Sequence, residues 1–145
     1  MQSKLLAADP EQRTYAVIFE TGDEIMAGLQ TFAREQELAA SHFTAVGACR
    51  EVTLGYFEWE AKRYRGIPVA EQVEVLSLVG DVSLAPDGTR QVHAHIVVGK
   101  SDGTAHGGHL LRGIVRPTLE VIVTESPTHL QRELDPDAGI PLIRV

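Results

Sequence analysis

The residues predict an α+β domain: a mostly antiparallel sheet of about seven strands with one main amphipathic helix. Three observations carry this. Runs rich in Val, Ile, Thr, Phe and Tyr recur from Thr14 onward, separated by Gly, Pro and Asp turn residues. A single stretch, following Glu24, places apolar residues at helical spacing. The remaining strand signals follow one another without intervening helices, the order expected of antiparallel neighbours.

Composition sets the outer bounds. At 145 residues the chain is sized for one domain with an ordinary core, and 43% apolar with 23% charged residues argues against disorder. A formal charge of −7 opposes non-specific attachment to nucleic acid or to an anionic membrane surface, so direct nucleic-acid binding is not expected. No window approaches the roughly 20 apolar residues of a membrane span. Cys49 is the only cysteine, which excludes an internal disulfide and fits a reducing compartment. Met1 to Pro10 has one positive charge and too short an apolar run for a secretory signal, so a cytoplasmic setting is expected.

In order, residues 1–13 read as a flexible tail and 14–145 as the domain. Thr14–Glu20 reads as the first strand. Thr21-Gly22-Asp23-Glu24 has the form of a capping box that opens a helix, in which Ile25, Leu29, Phe32 and Ala33 make one apolar stripe. His42–Gly47 and Glu51–Phe57 read as strands bent or bulged at Gly47 and Gly55. Trp59, Lys62, Arg63, Tyr64 and Arg65, mixed with Glu58 and Glu60, suit a solvated hairpin tip. Glu71–Leu84 reads as a long strand kinked at Gly80, with Glu74, Leu76 and Leu78 on one face, and Pro86-Asp87-Gly88 turns it back. Ile114–Val115 and Thr118–Glu125 supply more strand, with Pro117 outside any central ladder position; Leu130–Val145 is extended.

The chemistry gathers between Val92 and Leu110, where four of six histidines fall within seventeen residues. On a strand, His93 and His95 share one face and Val92, Ala94 and Ile96 the other. A third imidazole from His109, or alternatively His106, would complete a three-histidine set with room for water, the open arrangement of catalytic zinc. Such a site could lower the pKa of bound water to about 7, but a reaction also needs an acid or base nearby. Glu74 and Glu120 are the candidate carboxylates; a structural or exposed role is the alternative for each. His42 and His129 have no such company.

The order of motifs resembles a known family. Gly22-Asp23-Glu24-Ile25, Val46-Gly47-Ala48, Leu54-Gly55-Tyr56-Phe57, Glu74 to Gly80, His93-Ala94-His95, Gly107-Gly108-His109-Leu110 and Pro117 to Val121 together resemble the PPC (plants and prokaryotes conserved) domain, over roughly Thr14 to Leu142. The resemblance implies a homotrimer of the free-standing prokaryotic type, with His93, His95 and His109 as zinc ligands and His106 outside the pattern. It assigns no pathway. In plant relatives the domain follows an AT-hook and mediates assembly in DNA-associated regulation; this chain has no Arg-Gly-Arg-Pro segment, so direct DNA binding does not carry over, and a DNA-associated regulatory or protein-assembly module without its own AT-hook is one alternative. A metal-dependent hydrolase or lyase is the other alternative. Cupins, a competing His-x-His family, carry a glutamate a few residues beyond the second histidine, where this chain has Ile96-Val97-Val98-Gly99-Lys100.

Overall fold

The structure, a computed structural model, describes all residues from Met1 to Val145. One α-helix and nine strands form, in order, β1 (Gln2–Asp9), β2 (Gln12–Glu20), α1 (Ile25–Glu35), β3 (Ala40–Glu58), β4 (Arg63–Val69), β5 (Val73–Leu84), β6 (Arg90–Gly99), β7 (Ala105–Glu125), β8 (Gln131–Leu134) and β9 (Pro141–Arg144). The α+β reading holds. The count differs from the expected seven because three strands form at the chain ends, β1, β8 and β9, which lack an alternating apolar pattern, while shorter expected runs merge into β3 and β7.

The sheet runs β1-β2-β7-β3-β5-β8-β9, with β4 beside β3 and β6 bridging β5 and β7. All partners are antiparallel except β5 and β8, which meet in parallel at Leu84 and Gln131. Because β6 pairs with both β5 and β7, and both of those pair with β3, four strands close into a ring at the histidine end. The inward side chains of that ring, among them Leu54, Val75, Ile96, Val98 and Leu110, are continuous with a core that includes Phe19, Phe43 and Leu119.

The helix follows its stripe. Ile25, Leu29, Phe32 and Ala33 are the buried residues of α1, each large one contributing roughly 1.5–3 kcal/mol by burial. Phe32 meets Tyr15 edge-on, with ring centroids 5.3 Å apart. Its start differs from the expected capping box. Glu24 is itself the N-cap, its carboxylate accepting from the N–H groups of Met26 (3.2 Å) and Ala27 (2.7 Å), while Thr21 donates to the Pro117 carbonyl. Glu24 also accepts from the Gly113 N–H, so the cap doubles as a tie to β7, which Thr21 is not placed to supply. Further along, Gln30 donates to the Arg90 carbonyl at 2.6 Å and joins the helix to β6.

Several local expectations change. Where a tail is expected, Gln2–Asp9 pair with β2 as an edge strand whose residues are all exposed, so burial leaves no alternation to read. β3 and β7 are each continuous where shorter runs are expected. The β3 register shifts at Gly47, and Pro117 falls where the β3–β7 ladder skips from Leu119 to Val115. β5 is in register through Gly80; its irregularity lies between Val75 and Ser77. That bulge reverses the faces beyond it. Glu74 and Leu76 are exposed but Leu78 is fully buried, so the three do not share a face.

Candidate metal centre

The β5–β6 hairpin and the start of β7 build the site. Along β6, Val92, Ala94, Ile96 and Val98 are buried, which forces His93 and His95 to the opposite face. The β6–β7 register sets His109 directly across from His95. Gly108 lets this happen: a Cβ there would lie 2.8 Å from the Gly55 carbonyl oxygen. One side-chain nitrogen from each of His93, His95 and His109 then lies within 4.8 Å of the others. Ring centroids are 5.1, 5.1 and 5.4 Å apart. Tetrahedral ligation at about 2.0–2.1 Å puts nitrogens roughly 3.3 Å apart, a modest drawing-in of the rings.

Electrostatics favour neutral rings at His95 and His109. Burial, followed by the neighbouring charges of His93 and His95, lowers the His109 pKa to about 4. His95 is lowered as well, by burial and then by His93. His109 Nδ1 is buried and has no hydrogen-bond partner. An orphaned buried ring nitrogen is costly, and a bound cation is one way to satisfy it. The donor set also fits, since neutral imidazole is a ligand for zinc and for other first-row metals.

Residues outside the candidate set complete the surroundings. Tyr64, in β4, stacks on His109 at 4.4 Å between centroids. Phe57 lies 5.2 Å from Tyr64, and Trp59 lies 6.3 Å from Phe57, so a row of rings leads from the surface to the histidines. Asp81, across from His93 in β5, has Oδ2 3.3 Å from His93 Nδ1. Burial alone would raise the Asp81 pKa, but hydrogen bonds from His93 and Arg132 hold it below the usual value. Arg132 is 5% exposed; it donates to Asp81 Oδ1 and to Ser83 Oγ, both at 2.7 Å. Register was the available signal for Asp81: a hairpin turning at Pro86-Asp87-Gly88 pairs Leu84 with Arg90 and therefore Asp81 with His93.

The two candidate carboxylates are not brought here. Glu74 sits opposite Gly99 at the far end of β5, and Glu120 opposite Val46; both are exposed. His106 is exposed opposite Val98, apart from the trio. Beside the histidines is a cavity of about 180 Å³ lined by Tyr64, Gln91, His93, His109, Arg132 and the Ile140–Leu142 segment. Gln91 Oε1 is buried without a partner.

Residues 7–127 match the model of the Plants and Prokaryotes Conserved (PCC) domain. The chain belongs to this family. A protein of the family from Pyrococcus horikoshii is similar in structure, with TM-score 0.85, 30% identity and 92% of each chain covered. A metal-containing protein from Archaeoglobus fulgidus is similar at TM-score 0.83 and 29% identity, covering 100% of this chain and 99% of that one. A protein from Bacteroides thetaiotaomicron, described as a candidate DNA-binding protein, is similar at TM-score 0.88 and 27% identity, over 98% of this chain and 96% of that one. That description does not favour the expectation, drawn from net charge, that the PCC chain avoids nucleic acid. Among curated proteins, the bifunctional protein GlmU of Synechococcus sp. (strain JA-3-3Ab) is 33% identical over 130 residues. The match takes in 88% of the PCC chain but only 20% of GlmU. No helix is long and apolar enough to cross a membrane.

Proposed function

We propose that this PCC-domain protein binds a divalent metal, zinc first, through His93, His95 and His109, and offers the adjoining cavity to a small molecule. The observation that carries this is the convergence of three ring nitrogens, one ring having a buried nitrogen without a partner. The metal-containing relative supports it. A bound zinc ion would supply Lewis acidity and an acidified water. The chain's own groups orient and enclose: Tyr64 covers one face of His109, and Asp81 accepts from His93. Glu74 and Glu120 stand elsewhere, so a hydrolase or lyase would have to take its proton acceptor from Asp81, which is already engaged by Arg132. Binding is therefore preferred over catalysis.

A homotrimer working in the cytoplasm completes the reading. Ile122, Thr44, Val79 and His95 lie in register across β7, β3, β5 and β6, and with Val46 and Val97 they make an exposed, largely apolar sheet face suited to self-association. A second reading, association with DNA, is favoured by the Bacteroides relative and by exposed Tyr56, Trp59 and Arg65 on the β3–β4 hairpin. Arg63 and Arg65 both pair with Glu58, which weakens it. Metal content per chain of purified, untagged protein decides the first reading. Near-stoichiometric zinc lost in His93→Ala, His95→Ala and His109→Ala supports it; protein that stays metal-free when zinc is offered refutes it. Light scattering tests the trimer.

A further inference from the structure

The C-terminal hairpin β8–β9 lies outside the residues that match the family model, yet it forms one side of the histidine cavity. Arg132 anchors it. The guanidinium donates through Nε to Ser83 Oγ, through Nη2 to Asp81 Oδ1 and through Nη1 to the Pro141 carbonyl, so one side chain joins β8, β9 and β5. Gln131 adds a bond to the Ala85 carbonyl at 2.7 Å, and Leu84 donates to the Leu130 carbonyl at 2.8 Å. Lys62 reaches the Asp137 carbonyl from the β3–β4 turn.

This anchoring bears on the histidines through Asp81. A carboxylate held by a buried guanidinium at 2.7 Å is ionised and can only accept. Its contact with His93 at 3.3 Å therefore requires a ring proton on Nδ1, and it is then Nε2 that can offer a lone pair to a metal. A carboxylate that fixes a ligand histidine in this way raises its basicity and orientation, typically worth 10–100-fold in metal affinity. We propose that β8–β9 is part of the metal site: Arg132, acting through Asp81, is a positioning residue for His93, and Ile140–Leu142 wall the cavity beside it. Hairpin docking and metal binding then reinforce each other, because any coupling of two equilibria is reciprocal. The inference rests on the metal reading above.

The test uses the full chain and separates the two ideas. Removing Asp81 alone would strand a buried guanidinium, so the informative variant is the double substitution Asp81→Asn/Arg132→Met, with Arg132→Lys beside it to keep charge without the planar fork. Ring-nitrogen NMR of metal-free protein reads the His93 tautomer, calorimetry reads zinc affinity, and amide exchange reads the hairpin with and without zinc. The expected result is Nδ1–H at His93 in the wild type, a mixed tautomer in the double variant and zinc binding weakened at least tenfold. Arg132→Lys should fall between, and zinc should slow exchange in β8–β9 of the wild type. A wild-type His93 protonated on Nε2, or zinc affinity unchanged within twofold in a folded double variant, overturns the proposal and leaves the metal reading intact. Wild-type protein that shows Nδ1–H but takes up no zinc overturns the metal reading, and the coupling with it.

Discussion

Gly80 sits where the core and the histidine strand meet, and Gly80→Ala tests how tightly they are joined. A Cβ at this position would lie 2.3 Å from the His93 carbonyl oxygen and 2.3 Å from Phe43 Cζ. Neither neighbour can yield cheaply: Phe43 is 1% exposed, and the carbonyl belongs to the β5–β6 ladder. Replacing glycine in a strand should by itself gain about 0.5–1 kcal/mol of chain entropy, whereas overpacking costs about 1–3 kcal/mol or somewhat more. With two contacts this short the cost wins, giving a net loss of about 2 kcal/mol. For a domain of this size that corresponds to a fall in Tm of roughly 5–10 °C. Gly66→Ala is the control, because its Cβ would meet Thr53 and Leu111 only at 3.5 and 3.9 Å and should leave Tm unchanged or slightly raised. Differential scanning calorimetry of both variants is the assay. A Gly80→Ala protein melting within about 1 °C of wild type would refute the close packing behind the histidine strand.

Other outcomes follow from buried polar groups. Glu125, 5% exposed, accepts from the Ala39 and Ala40 N–H groups and from the Ser41 hydroxyl, so Glu125→Ala should cost about 2–4 kcal/mol in urea unfolding, with Glu125→Gln costing less; equal losses would argue against the network. Burial pushes the Cys49 thiol up to about 12, so a disulfide reagent at pH 8 should label it only after unfolding, and rapid labelling of native protein would contradict its placement. Metal-free protein should lose stability as pH falls below about 6.5. His109, with a pKa near 4, stays neutral in the folded chain while the unfolded chain takes up a proton, and His95, whose pKa is also lowered by burial, acts in the same direction. The contribution is whole above 6.5 and is lost as pH approaches the folded value, so Tm should drop between pH 7.5 and 5 and His109→Asn should flatten that slope.

What could be read from the sequence was what short-range periodicity encodes. The stripe Ile25, Leu29, Phe32, Ala33 and the alternation from Val92 to Val98 each depend on neighbours a few residues away, and both stand as read. The turn at Pro86-Asp87-Gly88 likewise joins β5 to β6. Features set by register between distant strands were hidden. The bulge at Leu76 moves a single residue yet separates Leu76 from Leu78, and no local pattern marks it. Tyr64 reads as part of a charged hairpin tip because only the β3–β4 and β3–β7 registers carry it to His109. Arg132 sits in a tail segment without alternation, and its burial follows from a partner fifty-one positions earlier.

The row Trp59, Phe57, Tyr64, His109 gives the molecule an optical reporter of its own. Trp59 is the only tryptophan, and it is 54% exposed at the outer end of the row while the histidines occupy the inner end. Its emission comes from one place, so a change on adding a paramagnetic or coloured ion such as copper or cobalt can be assigned without labels. Lys62, with its ammonium 3.8 Å from the centre of the indole ring, also contacts Asp137 in the loop joining β8 to β9. The same fluorophore therefore listens to the histidine cluster through the row of rings and to the C-terminal hairpin through one lysine. Lifetime measurements on unmodified protein could follow both in a single cuvette.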